Sequence, residues 1–366
     1  MGILQSKSIE VSEDTESNSF AKDDGSEGKE DKSILVLGAG NFGTCLADHL
    51  ASLGNEVTIW ARSQEVVDGI NLQHKNVKYL SHVLLSENLK ATTVLNQEVF
   101  DAVTVVICAI PSQLMRTILE RVKPFLTTRH LLIFVNKGIE KGTLSFPHDI
   151  VVSELGEEIG YNATFLSGPS FAAEVVERKH TCVTAASLVH IRALRTQKLF
   201  HAPHFRVYDA TDVIGVEVAG ALKNVMALAS GCSSGIGLQL NARAALITRA
   251  LAEITRIGVK LGANPLTFAG LSGVGDLFLT CTSEKSRNFT VGYRLGKGEK
   301  LDDVIRTLGS VAEGVETVPA AYELCRKLGV DSPIIDAVHA VLMKGLTVDE
   351  VFKNVTHRSP KSELTH

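Results

Sequence analysis

The sequence predicts a doubly wound α/β domain followed by an all-helical domain, and three observations carry that expectation. From Lys32 onward, short runs that are apolar on both faces alternate with helical stretches, as expected for strands buried in a parallel sheet. The alternation continues to about residue 208. Residues 212–261 then read as long, Ala- and Gly-rich helix. At 366 residues and 45% hydrophobic content, the chain is long enough for two domains with full cores.

The strands are read in order at "SILVLGAG", "EVTIWAR", "AVTVVICAIPS", "HLLIFVNKG", "ATFLSGPS" and "TCVTAAS". The texture changes at "FRVYDATD", which places the domain boundary near residue 208. Thr211 or Asp212 is positioned to cap the first helix of the second domain. "SSGIGLQLNAR" interrupts the helical pattern, and further helices are expected at 301–308, 317–328 and 333–344.

Charge is distributed unevenly. The chain carries a formal net charge of −4, with no basic footprint for nucleic acid. Residues 1–31 hold nine acids against three lysines, −6 in all, which leaves +2 for the remainder. So few apolar residues cannot offset ordering entropy, and this acidic tail is expected to be disordered. The six cysteines are scattered without Cys-x-x-Cys spacing, which points to a reducing, cytoplasmic setting. No run reads as a membrane span or a leader. "MGILQS" does fit the myristoylation pattern at Gly2, and an acyl group there would add weak membrane contact.

In "ILVLGAGNFGTCLADHL", Gly38, Gly40 and Gly43 stand in G-x-G-x-x-G spacing between a strand and a helix. The first glycine permits a tight turn, the second lets backbone approach a pyrophosphate, and the third lets helix and strand pack closely. With a second strand following, the pattern predicts a Rossmann-type dinucleotide-binding domain. Arg62 stands where an NAD-specific site usually places an acid. It either stacks on adenine or pairs with a 2′-phosphate, which leaves both NAD and NADP open. The plan is then a tail over 1–31, a dinucleotide-binding domain over 32–208, a helical substrate domain over 209–355 and a flexible tail over 356–366.

Ligands of such a sheet gather at the carboxyl ends of its strands. Polar punctuation falls there at Asn41-Phe42, Pro111-Ser112-Gln113, Asn136-Lys137-Gly138 and Gly168-Pro169-Ser170. "TDVIGVEVAGALKNVMALASG" is apolar around nearly its whole circumference, yet contains Lys223 and Asn224. Burial lowers a lysine's pKa toward useful acid–base values. Glu217 either pairs with that lysine or serves the helix start, and Gly215, Ala219 and Gly220 keep the nearby surface small enough for something else to approach. No spacing points to a metal, and none is expected.

The motifs "GAGNFGT", "NKGIE", "SGPSFAAE", "GVEVAGALKNVMALASG", "NARAALITR" and "GLSGVGDLFLTCTSEKSRNFTVG" together resemble the soluble NAD(P)-dependent glycerol-3-phosphate dehydrogenases, over residues 33 to about 345. "TCTSEKSRN" and "VAEGVET" look more like the bacterial-type branch. The resemblance implies reversible hydride transfer between NAD(P)H and dihydroxyacetone phosphate, giving sn-glycerol 3-phosphate for phospholipid synthesis and glycerol metabolism. A homodimer is expected on the ground that an exposed apolar helix face would support one. It implies Lys223 as general acid and base, with Lys137 and Asn224 flanking the substrate and Asp276 and Thr280 supporting the lysine. Ser286, Arg287 and Asn288 would hold the phosphate, and Gly168 and Ser170 would form a substrate loop. Asn41, Phe42, Arg62, Pro111, Lys137, Ala172, Arg287, Val311 and Glu313 match cofactor-contacting positions. Two rivals share the architecture: a ketopantoate- or 2-hydroxyacid-type reductase, and a non-catalytic NAD(P)-binding sensor. The Lys223-Asn224 and Arg287-Asn288 pairs favour a phosphorylated ketose over the first, and the retained lysines disfavour the second.

Overall fold

The computed structural model describes residues 32–309, 312–357, 359 and 362–363. The expectations for the 1–31 tail, for Val311 and for most of the tail beyond residue 357 lie outside the described residues.

Eight strands form one sheet: β1 (Ser33–Leu37), β2 (Glu56–Trp60), β3 (Leu89–Thr92), β4 (Val105–Cys108), β5 (Leu131–Phe134), β6 (Thr164–Ser167), β7 (Thr181–Ala186) and β8 (Phe205–Ala210). Their spatial order is β3-β2-β1-β4-β5-β6-β7-β8. Strand order reverses between β1 and β4, the switch point at which such sheets bind ligands. Successive residues of β1 explain its double-sided hydrophobicity. Ile34 and Val36 enter the core on one face of the sheet, while Leu35 and Leu37 enter the core on the other.

Helices cover both faces: α1 (Asn41–Ser52), α2 (Gln64–Gln73), α3 (Gln97–Asp101), α4 (Met115–Val122), α5 (Pro147–Leu155), α6 (Glu157–Gly160), α7 (Ala172–Val176) and α8 (His190–Phe200). Two departures from expectation concern the sheet edges. β3 and β8 are not legible as buried runs because each edge strand alternates buried with exposed positions. The sheet is also mixed, since β7 pairs antiparallel to β6 and β8 runs parallel to β7. Residues 168–180, between β6 and β7, spend their length on the Gly168 turn and the short α7. Too little chain remains to cross a face and return parallel.

The rest is helical: α9 (Val213–Gly235), α10 (Leu240–Lys260), α11 (Asp276–Thr282), α12 (Arg287–Gly296), α13 (Leu301–Leu308), α14 (Glu313–Leu328), α15 (Pro333–Lys344) and α16 (Val348–Thr356). Asp212 is the residue that caps α9, accepting a hydrogen bond from the Gly215 amide. By length and composition α9 is apolar enough to cross a membrane, yet it is the buried centre of this half, enclosed by a core that includes Ile254, Leu277, Val291 and Val318.

Candidate active site

The glycine turn is built from local sterics. Gly38 adopts φ 112°, and a Cβ there would approach the Ala109 carbonyl oxygen to 2.7 Å. A Cβ on Gly43 would lie 2.0 Å from the Gly38 carbonyl oxygen, so α1 packs against β1 only because that side chain is missing. Gly40 differs, because a Cβ there would meet no protein atom within 4 Å. Protein packing leaves that space free beside the amino terminus of α1, and it fits the pyrophosphate of a dinucleotide. Asn41 and Phe42 open α1 half-buried beside it, and Arg62 lies exposed just past β2.

Asn76 supports this turn from a distance and has no signal in the sequence. Its buried amide donates to the Ala39 carbonyl at 3.0 Å and to Thr44 Oγ1 at 2.8 Å. Its oxygen accepts from the amides of Lys78 and Tyr79, which ties the loop after α2 to the glycine segment.

A second cluster centres on Asp276, which is 1% exposed at the start of α11. Lys223 Nζ on α9 donates to Asp276 Oδ1 at 2.6 Å and to Thr280 Oγ1 at 3.0 Å. Lys137 Nζ, from the loop after β5, donates to Asp276 Oδ2 at 2.9 Å and to the Gly168 carbonyl at 3.2 Å. One carboxylate thus bridges two ammonium groups. Burial pushes the Asp276 carboxyl up, but the two lysines outweigh it and hold the group below its usual range. Burial lowers the Lys223 pKa to about 8, against the raising effect of Asp276 and with a further lowering by Lys137. An ammonium so placed is poised to give or take a proton near neutral pH.

Gly168 makes its turn at φ 137°, where a Cβ would come 2.9 Å from Val183 Cα, and Ser170 Oγ donates to the Gly168 carbonyl at 2.9 Å. Ala172 follows, half-buried, at the first position of α7.

Ser286 caps α12, its hydroxyl accepting from the Phe289 amide, so the first backbone N–H groups of that helix remain without intrahelical partners. Arg287 stands exposed at that end and forms no hydrogen bond or ion pair among the described residues. A free guanidinium beside a helix amino terminus suits a phosphate. Asn288 is largely occupied within the protein: its Nδ2 donates to Asn224 Oδ1 at 2.9 Å and its Oδ1 accepts from the Gly314 amide at 3.0 Å. Asn224 in turn donates to the Lys137 carbonyl at 3.4 Å. Glu313 opens α14, half-buried, and accepts from the Ser112 amide, next to exposed Pro111. Burial raises its pKa, with Arg287 pulling it back.

Packing decides two readings that the sequence leaves open. Glu217 does not pair with Lys223; it accepts from the His148 amide at 2.8 Å, at the amino terminus of α5. At Gly215 and Gly220 what approaches is the protein, since side chains there would strike Asp212 Oδ2 at 2.1 Å and Ser167 Oγ at 2.9 Å. They let α9 pack against the protein itself. Among the described residues, no group of three His, Cys, Asp or Glu could hold a metal ion. An apolar hollow between Cys232, Leu246, Val338 and Phe352 contains no member of either cluster.

Comparison with known proteins places these clusters in context. Residues 33–191 match the family described as NAD-dependent glycerol-3-phosphate dehydrogenase N-terminus, and residues 212–353 match its C-terminus. The chain is 46% identical to the glycerol-3-phosphate dehydrogenase [NAD(P)+] of Bacillus subtilis over 91% of its length and 96% of that protein. A Staphylococcus aureus protein of the same name is 43% identical over 90% of this chain and 99% of its own. Among solved structures, glycerol-3-phosphate dehydrogenase from Coxiella burnetii superposes with a TM-score of 0.85 at 34% identity, covering 90% of this chain and all of that one.

Proposed function

We propose that this chain, which belongs to the NAD-dependent glycerol-3-phosphate dehydrogenase family, reduces dihydroxyacetone phosphate to sn-glycerol 3-phosphate, with Lys223 supplying the proton. The observation that carries the reading is Asp276 bridging Lys223 and Lys137 beside the carboxyl ends of β5 and β6. Bound NAD(P)H supplies the hydride. Gly38, Gly40 and Gly43 hold its pyrophosphate, with Asn41, Phe42, Arg62, Pro111, Ala172, Glu313 and the segment containing Val311 around the remainder. Lys223 neutralises charge that develops on the carbonyl oxygen and hands over its proton; in the reverse direction it accepts one. Asp276 and Thr280 fix the ammonium, while Lys137 and Asn224 orient the substrate next to the Gly168–Ser170 loop. Arg287, with the α12 amino terminus set by Ser286, grips the phosphate. Asn288 contributes mainly by holding Asn224.

A homodimer is part of this reading, supported by the exposed apolar side chains Leu240, Leu266 and Phe278 on the helical half. Cytoplasmic residence is supported by six free cysteines, most of them buried, where burial pushes thiols such as Cys108 and Cys281 up to about 12. Weak membrane contact would require an acyl group on Gly2. The direct test adds dihydroxyacetone phosphate to purified protein and follows oxidation of NADH or NADPH. Turnover of a ketopantoate or 2-hydroxyacid substrate instead, or no turnover at all, would overturn the assignment. Solved ketopantoate reductases at 15% identity share only the fold.

A further inference from the structure

We propose that Gln113, Arg116 and Glu140 form a brace that positions Lys137 against Asp276, acting through the loop after β5 and touching neither substrate nor cofactor. The inference rests on the reading above, in which Lys137 and Lys223 serve the substrate.

Gln113 lies in the short turn after β4. Its Nε2 donates to the Ile139 carbonyl at 2.8 Å, and its Oε1 accepts from the Lys141 amide at 3.1 Å. The amide has one workable orientation, because a carbonyl only accepts and a backbone N–H only donates; turned over, it would lose both bonds. Arg116, on α4, grips the carboxylate between those two anchor points. Its Nε lies 3.0 Å from Glu140 Oε1 and its Nη2 2.8 Å from Glu140 Oε2. Its Nη1 reaches α5 at Ser153 Oγ and Glu154. Thr143 Oγ1 also donates to Glu140, at 2.5 Å.

On the other side of Lys137, Asn136 donates to the Ile110 carbonyl at 2.5 Å. Lys137 is therefore suspended between an anchor one residue before it and a set of anchors that begins two residues after it. A lysine reaches across four flexible bonds, so its ammonium meets Asp276 only if the backbone beneath it stays fixed. Glu140 is buried and Arg116 half-buried, where a forked, charge-assisted pair holds better than a solvated one.

The electrostatics give this brace a readout that simple destabilisation would not move. Lys223 faces Asp276 and Cys281 from α11, Lys137 from the braced loop and Glu313 from α14. Of these, Lys137 is the one carried by the braced loop, and its positive charge lowers the Lys223 pKa. Loosening the loop lets the Lys223 pKa rise. Reduction needs Lys223 protonated, so its rate falls as pH climbs through that pKa. The alkaline limb of the profile therefore moves to higher pH in a brace variant.

The test measures reduction of dihydroxyacetone phosphate by the full chain at saturating cofactor across pH, for wild type, Gln113→Leu and Lys223→Met. We expect Gln113→Leu to lower kcat about tenfold, as small misplacements do, with its alkaline limb shifted upward. Unchanged kcat, or a reduced kcat with the limb unmoved, overturns the brace. Glu140→Gln carries the same test if Gln113→Leu does not fold. Lys223→Met separates the two ideas: near-normal turnover there would remove the mechanism on which the brace rests, whatever Gln113→Leu does.

Discussion

The glycine turn and the Asp276 cluster both lie at the carboxyl ends of strands, but they are assembled in opposite ways. Gly38 to Gly43 form one continuous segment whose geometry follows from steric contacts within a few residues and with Ala109. The Asp276 cluster gathers Lys137, Gly168, Lys223 and Thr280 from four separate segments, and its electrostatics exist only once all are buried together. The turn is set mainly by its own segment with support from Asn76 and Ala109, whereas the cluster depends on the packing of two domains. Substitutions should separate the two cases, some through stability and others through chemistry.

Asp276→Ala should have the largest effect, because it takes the bridging counter-charge from buried Lys223 and partly buried Lys137. A loss of about 3–5 kcal/mol is expected, measured by denaturant unfolding; stability near that of wild type would show that the lysines reach solvent. Lys223→Met keeps volume and leaves Asp276 paired with Lys137. It should fold and bind cofactor but turn over at least about a hundredfold more slowly. In the wild type, the reductive rate should hold at neutral pH and fall as pH rises through about 8, where Lys223 loses its proton.

The glycines sharpen the contrast from the other side. Gly43→Ala forces a Cβ against the Gly38 carbonyl and should cost about 1–3 kcal/mol of stability. Gly40→Ala meets nothing in the protein and should leave the melting temperature unchanged while weakening cofactor binding. Equal losses of stability for the two would refute the distinction. Arg287→Ala should weaken binding of dihydroxyacetone phosphate, read as a raised KM, by roughly 1.5–3 kcal/mol, the scale of a hydrogen bond to a charged group, with little change in folding because Arg287 is exposed. Arg62→Ala should have the smallest effect, a shift in the NADPH-to-NADH affinity ratio. A constant ratio would mean that the preference is set elsewhere.

Sequence alone determined what depends on short-range pattern. The doubly apolar strands, the glycine spacing, a helix cap at Thr211 or Asp212 and the apolar α9 carrying Lys223 all express periodicity or local sterics, which a linear text records. Family motifs added the grouping of Lys223 with Asp276 and Arg287 with Asn288, though not their geometry. Tertiary structure decided the rest. It turned Glu217 toward α5 instead of Lys223, gave Asn288 to Asn224 and Gly314, and packed Gly215 and Gly220 against protein. It also reversed β7 and β8 relative to the other strands. Asn76 and Gln113 find their long-range partners 26 to 37 residues away, a distance that no local pattern records. A polar side chain in a sequence states what it can donate and accept. Which partner satisfies it, and so whether it orients a catalytic lysine or merely ties down a loop, is settled by which groups burial brings within 3 Å or so.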